Sequence, residues 1–340
     1  MKMISHGLSR NRVYLMGIAT IMVLICHISN LFPRFSPALK HITTRGNLGV
    51  DIFLLISGMG IFVSLDKSSK VMSFYQRRLK RILLPYVILA TPYWLIRSMV
   101  KTPRLSKVML GYSGLGFWIG KKNGAMWYVS FILVIYLLSP LVYGLLKKLD
   151  FNSRCFVSLL VAAVLLNMVL AQSCSKYYAK TEIAWSRIPI YILGLWYGAC
   201  LKGKNGIAVK ITGAVKWIYM TAIPVCYLLI ILTTVGGKGS RLFLERITGS
   251  LFAVWLSLIC CRLLDRLQET SRIKAFLGFM GGISFELYLT HAYAIHMVRH
   301  FVKPRIKDTV ICLVLYLIFI AGCTVIAAFV RYACGANKKV

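Results

Sequence analysis

Ten apolar stretches, separated by short polar or basic segments, constrain this chain of 340 residues more than any other feature. A helix needs about 20 consecutive apolar residues to cross the hydrocarbon core of a bilayer, and shorter runs suffice inside a bundle. The pattern predicts an all-α, polytopic transmembrane helix bundle of about ten spans, forming a single domain over residues 1–340. The predicted spans are residues 13–32, 46–65, 82–99, 124–146, 155–173, 188–201, 215–235, 245–261, 275–299 and 309–331.

The charge balance favours contact with lipid. Forty-two Lys and Arg against nine Asp and Glu give a formal net charge of +33, in a chain that is 58% hydrophobic with a mean hydropathy of +0.72. A soluble chain this basic would suggest a nucleic-acid partner. Here the bases lie between apolar runs, so we expect anionic lipid headgroups of the bilayer as partners, and no nucleic acid.

The distribution of Lys and Arg predicts the orientation of the bundle. Six bases crowd the segment Asp66–Arg81, namely Lys67, Lys70, Arg77, Arg78, Lys80 and Arg81. Because Lys and Arg are enriched in cytoplasmic loops, we expect both termini in the cytoplasm. The N-terminal segment resembles a signal peptide, but no small-residue cleavage site follows Pro33, so a retained first span is expected.

Four ionisable side chains fall inside the predicted spans: His27, Asp51, Glu286 and His291. Such groups are costly in a membrane and often mark functional sites, although each could simply hold two helices together. With a rise of about 1.5 Å per residue, His27 is expected about 20 Å from the cytoplasmic end of the first span, in the outer third of the membrane. Asp51 and His291 are expected at a similar depth, and Glu286 nearer the middle.

Helical spacing divides the polar residues of the ninth predicted span into two stripes. One stripe contains Ser284, Tyr288 and His291, and the other contains Glu286, Thr290 and Tyr293. Glu286 and His291 therefore need not face the same cavity.

The ten cysteines indicate neither a metal site nor a disulfide framework. Eight of them lie within or at the ends of apolar runs, where Cys packs as a small hydrophobe. Because no CxxC or Cys/His spacing occurs, we expect no metal.

Five sequence blocks are informative together. They are MGIATIMVLICHI in the first span, GNLGVDIFLLISGMGIF at Gly46–Phe62, FYQRRLKRILLPY at Phe74–Tyr86, MWYVSFILVIYLLSP at Met126–Pro140 and LGFMGGISFELYLTH at Leu277–His291. In this order, over most of the chain, they resemble the motifs of the acyltransferase type 3 family of bacterial integral-membrane O-acyltransferases.

The chain departs from the family pattern at two positions. The family commonly carries an Arg eleven positions before the first-helix His, where this chain has Met16. Arg12 lies one turn earlier, within about 40° of the same helical face, and could substitute. Glu286 stands in the last block, where a charged residue is not generally expected.

The resemblance implies transfer of an acyl group, usually acetyl, from a cytoplasmic acyl-CoA to a hydroxyl of an extracytoplasmic or lipid-linked carbohydrate, at the bacterial cell membrane. Acyl-CoA would be the donor substrate, with no permanently bound cofactor. Because an alcohol is a poor nucleophile at neutral pH, the reaction needs a base. His27 is the candidate base, and Asp51 could hold its tautomer as in a catalytic triad. Direct transfer and an acyl-histidine intermediate both remain open.

Further residues are candidates for supporting the reaction. Near the predicted base, the supporting candidates are Ser284, Tyr288, His291 and Glu286. For the phosphates of the donor, the candidates are Arg12, Arg77, Arg78 and Arg81. The cytoplasmic enrichment of bases explains the three Arg of the third block equally well.

Two other functions fit the same residues. A proton-coupled secondary transporter or flippase would use the intramembrane His and acids as a proton relay, although no internal similarity between the halves is evident. An acyltransferase acting on a small metabolite or an amine would differ only in its acceptor. The sequence specifies neither the acceptor sugar nor the acyl chain, and neither partner proteins nor the oligomeric state.

Overall fold

A computed structural model describes residues 2–31, 37–67, 70–100, 105–121, 126–204, 221–230, 240–306 and 308–334. These residues form helices and short connections without a strand, which confirms the all-α class for them. The helical elements in chain order are α1 (Lys2–Arg10), α2 (Arg12–Leu31), α3 (Pro37–Thr44), a 3-10 turn (Arg45–Asn47), α4 (Leu48–Lys67), α5 (Val71–Val100), α6 (Leu105–Tyr112), α7 (Leu115–Trp118), α8 (Trp127–Lys148), α9 (Ser153–Ser173), α10 (Ser175–Trp185), α11 (Ile188–Leu201), α12 (Thr221–Ile230), α13 (Ser240–Arg266), α14 (Arg272–Gly282), α15 (Ser284–Met297), a π-helix (Val298–Val302) and α16 (Thr309–Ala333).

Several of the described helices could cross a membrane. Five are long and apolar enough, namely Leu39–Lys67, Trp127–Lys148, Ser153–Ser173, Phe243–Arg266 and Thr309–Ala333. A sixth candidate is the pair α1 and α2, which is bent by 72°. The predicted count of ten spans and the cytoplasmic termini stay predictions, and part of the seventh predicted span, residues 215–235, lies outside the described residues.

The segment of the ninth predicted span, residues 275–299, is interrupted, and the span itself stays a prediction. α14 ends at Gly282 and α15 begins at Ser284, with Ile283 between them. Gly is a poor helix former, which explains a break directly after two consecutive glycines. Beyond Met297 the chain continues as a π-helix. Tyr288 and His291 therefore lie on a short helix of 14 residues.

The chain divides into two compact units. Unit 1 contains Met1–Leu15, Val50–Phe74 and Phe131–Ala275, and unit 2 contains Met16–Gly49, Tyr75–Ser130 and Phe276–Val340. The ionisable residues predicted to lie in the membrane are divided between them. Asp51 belongs to unit 1, whereas His27, Glu286 and His291 belong to unit 2.

The core of unit 2 joins α2, α15 and α16. The Tyr316 hydroxyl donates a hydrogen bond to the Leu24 carbonyl at 3.1 Å, and the Thr290 hydroxyl donates to the Cys323 carbonyl at 3.2 Å. Buried apolar side chains such as Leu287 fill the space between these polar contacts. Each fully buried side chain of this size contributes about 1.5–3 kcal/mol relative to an exposed one. This packing holds the second half of α2 in the same core as α15.

Two glycines allow close approach to α2. A Cβ atom at Gly17 would overlap the backbone carbonyl oxygen of Leu277 in α14, and one at Gly46 would overlap the carbonyl oxygen of Met22. Backbone cannot move aside as a flexible side chain can. α14 and the 3-10 turn therefore pack against α2 at a separation that only Gly permits at these two positions.

Replacing Gly46 with Ala should destabilise unit 2, because the added methyl group collides with the backbone of α2. A loss of about 1–3 kcal/mol is expected, seen as a lower thermal unfolding midpoint of the detergent-solubilised protein. Gly322→Ala in α16 is the matched control, since its Cβ meets nothing within 4 Å. Equal midpoints for the two variants would contradict the close approach.

Candidate functional site

His27 and His291 bring their imidazole rings into contact within unit 2. Their Nε2 atoms are 3.2 Å apart, and the ring centroids lie 4.9 Å apart with the planes at 37°. His27 stands near the end of α2, and His291 stands in the middle of α15. His291 is buried, with 1% of its surface exposed, whereas His27 is half-buried. His27 is therefore the member of the pair that an incoming molecule can meet.

The hydrogen bonds of His291 indicate which ring nitrogen carries each proton. His291 Nδ1 contacts the Tyr288 carbonyl oxygen, which can only accept, so this nitrogen carries the proton in a neutral ring. His291 Nε2 then has a lone pair and accepts a hydrogen bond from His27 Nε2–H. The remaining nitrogen of a neutral His27, Nδ1, keeps its lone pair. His27 Nδ1 is therefore the basic atom of the pair.

Tyr288 supports His291 from the preceding turn of α15. Its ring lies 5.3 Å from the His291 ring, centroid to centroid, and its hydroxyl oxygen accepts a hydrogen bond from the Tyr128 backbone N–H at 3.2 Å. Tyr128 is the third residue of the MWYVSFILVIYLLSP block. Ser284 lies buried at the first turn of α15. The sequence blocks that contain Tyr128 and His291 thus meet in one place.

Glu286 contacts α16. Its Oε1 atom is 3.5 Å from Arg331 Nη1, and its Oε2 atom is buried without a hydrogen-bond partner among the described residues. Thr290, one turn further on, also bonds to α16. Glu286 lies five residues before His291, or about 7.5 Å along the helix axis. The two stripes of α15 therefore have different partners.

Asp51 forms a separate buried charge cluster in unit 1. Its Oδ1 atom accepts a hydrogen bond from the Ser250 hydroxyl at 3.1 Å, and its Oδ2 atom lies 3.7 Å from Arg187 Nε. Arg187 is only 2% exposed, and it also donates to the Ile183 carbonyl at 2.8 Å. The described partners of Asp51 are thus a hydroxyl and a guanidinium, while the described ring partner of His27 is His291.

Unit 1 contains a second buried ion pair, which the sequence analysis did not predict. Glu182 is buried in α10 and accepts a hydrogen bond from Arg246 Nε at 2.8 Å. Arg246 also acts electrostatically on Asp51. The sequence carries a weak signal for this cluster, because Glu182 and Arg187 stand shortly before the apolar run 188–201.

The predicted donor-binding arginines fall on two helices. Arg12 is half-buried at the start of α2, in unit 1. Arg77, Arg78 and Arg81 lie on α5 in unit 2, with Arg77 and Arg81 exposed and one turn apart. The charge of Arg81 also reaches Glu286. Arg77 and Arg81 therefore present two guanidinium groups on one exposed helical face.

Comparison with protein-family models agrees with the resemblance that the five sequence blocks indicate. The model of the acyltransferase 3 family, described as an acyltransferase domain, matches residues 14–330. No curated protein and no solved structure matches the chain significantly. The match covers nearly the whole chain and includes the residues of both clusters.

Replacing Arg187 with Gln should destabilise unit 1 strongly, because the Asp51 carboxylate would stay buried without its nearest counter-charge. Removing one partner of a buried ion pair costs about 3–5 kcal/mol. Asp51→Asn combined with Arg187→Gln removes both charges and should restore most of the thermal unfolding midpoint. A double variant no more stable than Arg187→Gln alone would contradict the pairing.

Proposed function

The chain belongs to the acyltransferase 3 family, and from this premise we propose that it is an integral-membrane O-acyltransferase of the bacterial cell membrane. It moves an acyl group, in the simplest case acetyl, from a cytoplasmic acyl-CoA to a hydroxyl of an extracytoplasmic or lipid-linked carbohydrate. The family makes the chain an acyltransferase, and the several apolar helices suggest a membrane protein. The observation that carries the proposed chemistry is the contact between His27 and His291.

In this proposal His27 Nδ1 is the general base. As the acceptor oxygen attacks the thioester carbonyl, its proton passes to Nδ1. The carbon–sulfur bond then breaks, the CoA thiolate leaves, and it takes up that proton. His27 returns to its neutral form, and the products are an ester and free CoA. The half-buried position of His27 is compatible with this role, because the acceptor must reach the ring.

His291 is a positioning residue for His27. Its lone pair accepts the His27 Nε2–H and stabilises the imidazolium that forms when Nδ1 takes the proton. A carboxylate has this role in many catalytic triads. Protonation of both rings at this separation would place two positive charges side by side. The pair therefore takes up only one additional proton and carries at most one positive charge.

Asp51 is better supported as the charge partner of Arg187 than as the orienting group of His27. Both of its carboxylate oxygens have partners in unit 1, and one partner is a buried cation. Glu286 similarly holds Arg331 against α15. In the proposal these acids stabilise helix packing, and the imidazole pair does the chemistry.

The donor binds through its phosphates to the exposed arginines Arg77 and Arg81, with Arg78 beside them and Arg12 as a further candidate. Guanidinium groups bind phosphate oxygens with paired, charge-assisted hydrogen bonds. The long pantetheine arm of CoA can then carry the thioester away from its phosphates toward His27. This separates donor recognition from the reacting atoms.

Replacing His27 with Ala should lower kcat by about 10²–10⁴-fold, because the acceptor hydroxyl loses its base. The measurement is acetyl transfer from radiolabelled acetyl-CoA to the surface glycans of permeabilised cells that carry the wild-type or variant protein, taken as the initial rate at saturating acetyl-CoA per amount of protein.

His6→Ala removes an exposed imidazole from unit 1 and is the matched control, with acetylation expected at the wild-type level. Equal acetylation in the His27→Ala and wild-type cells would refute the role of His27 as the general base. Proton-coupled uptake by the purified protein without turnover of acyl-CoA would instead support a transporter.

Replacing His291 with Phe should lower kcat about tenfold and leave the KM for acetyl-CoA unchanged, because His27 loses the acceptor that fixes its tautomer. His291→Gln keeps a carbonyl acceptor and should recover part of the rate. Purified enzyme in nanodiscs gives both constants. A KM that rises with an unchanged kcat would assign His291 to donor binding instead.

A further inference from the structure

The end of α2 that carries His27 meets a basic segment that follows α15. Lys303 Nζ donates a hydrogen bond to the carbonyl oxygen of Leu31, the last residue of α2. The segment before Lys303 is the π-helix Val298–Val302, which contains Arg299 and His300. Less than about 1% of residues in proteins adopt this conformation, and it recurs at functional sites. A rare backbone conformation thus lies beside the end of α2 that carries the candidate base.

Three side chains of this segment form what we call the basic end of unit 2: His296, Arg299 and His300. The rings of His296 and His300 stack obliquely, with centroids 4.4 Å apart. Arg299 and His300 are exposed. The guanidinium of Arg299 is also close enough to the His27 ring to act on it electrostatically. Arg299 is therefore exposed and within electrostatic reach of the His27 ring.

Unit 2 contains few carboxylates to neutralise the charge of Arg299. All nine acids of the chain are among the described residues, and only Glu286 and Asp308 belong to unit 2. Glu286 pairs with Arg331, and Asp308 caps α16 by accepting a hydrogen bond from the Ile311 N–H at 2.8 Å. In the predicted topology this end faces away from the cytoplasm, where Lys and Arg are normally less frequent. An exposed guanidinium at this end favours an anionic partner.

We propose that the basic end binds an anionic group of the acceptor, with Arg299 as its main contact, so that the acceptor is a carbohydrate bearing a phosphate or carboxylate. The assignment rests on the proposed function, because the acceptor is defined by that reaction. The anion contacts Arg299 while a neighbouring hydroxyl of the same molecule reaches His27 Nδ1. The net positive charge beside His27 also attracts the acceptor from solution.

The first test compares acceptors. Full-length protein in nanodiscs of phosphatidylcholine, which has no net charge, is given acetyl-CoA and one of three probes: N-acetylglucosamine, N-acetylglucosamine 1-phosphate or glucuronic acid. At least one anionic probe should be acetylated with a higher kcat/KM than the neutral sugar. Arg299→Gln should reduce that kcat/KM by about tenfold to a hundredfold, with an unchanged KM for acetyl-CoA. Equal use of neutral and anionic probes would overturn the proposal and leave the acyltransferase function intact.

Arg305→Gln is the matched control. It removes the same charge three residues beyond the π-helix, where the Arg305 side chain donates to the Phe301 carbonyl at 2.9 Å. An equal loss in both variants would show a general charge effect and overturn the specific contact.

The second test measures binding without turnover. Radiolabelled N-acetylglucosamine 1-phosphate and glucuronic acid are each equilibrated with the His27→Ala protein while unlabelled CoA saturates the donor site. Retention of either probe that depends on Arg299 supports the proposal, and retention of neither overturns it. Arg299-dependent retention in the absence of any acetyl transfer by the wild-type protein would contradict the proposed function and the assignment of this anion as acceptor. Loss of the Arg299 dependence when phosphatidylglycerol is added to the nanodiscs would show that the basic end binds lipid headgroups instead.

Discussion

The contact between His27 and His291 is the interaction on which the functional account depends. A neutral imidazole has one hydrogen-bond donor and one acceptor, so in a hydrogen-bonded pair of rings one ring donates and the other accepts. The Tyr288 carbonyl oxygen accepts the Nδ1–H of the buried ring, His291, so His291 accepts and His27 donates. The free lone pair is then on His27 Nδ1. Hydrogen bonds from Tyr316 to the Leu24 carbonyl and from Thr290 to the Cys323 carbonyl tie α2 and α15 to the same helix, α16, and so hold the two rings in one core.

The chain has few acidic residues, and the buried ones are paired with arginines. Each buried carboxylate described above has a guanidinium beside it: Asp51 has Arg187, Glu182 has Arg246, and Glu286 has Arg331. Buried charges persist in proteins when they are paired in this way. Because Glu286 and Asp308, the two acids of unit 2, are engaged with α16, the proposed acceptor supplies the anion that meets Arg299.

Much of the fold could be predicted from hydropathy, because a bilayer accepts little besides helices. The all-α class and the bounds of α9, α11 and α16 follow closely from the apolar runs. Gly281 and Gly282 are a sequence signal for the break at Ile283, but hydropathy alone does not register it. The π-helix could not be predicted, since it depends on local backbone hydrogen bonds that periodicity does not record. His27 and His291 stood out as costly residues, but their pairing depends on tertiary packing. Glu182 was missed because it lies at the edge of an apolar run and is buried only by other helices.

The tautomer of His27 tests the central claim most directly. Nitrogen-15 NMR of ring-labelled protein in nanodiscs separates protonated from unprotonated imidazole nitrogens, and subtraction of the His27→Gln spectrum assigns the signals of His27. The account predicts that Nε2 carries the proton and Nδ1 does not, and that this assignment is lost in His291→Phe. A proton on His27 Nδ1 in the neutral protein, with an unprotonated Nε2, would contradict it.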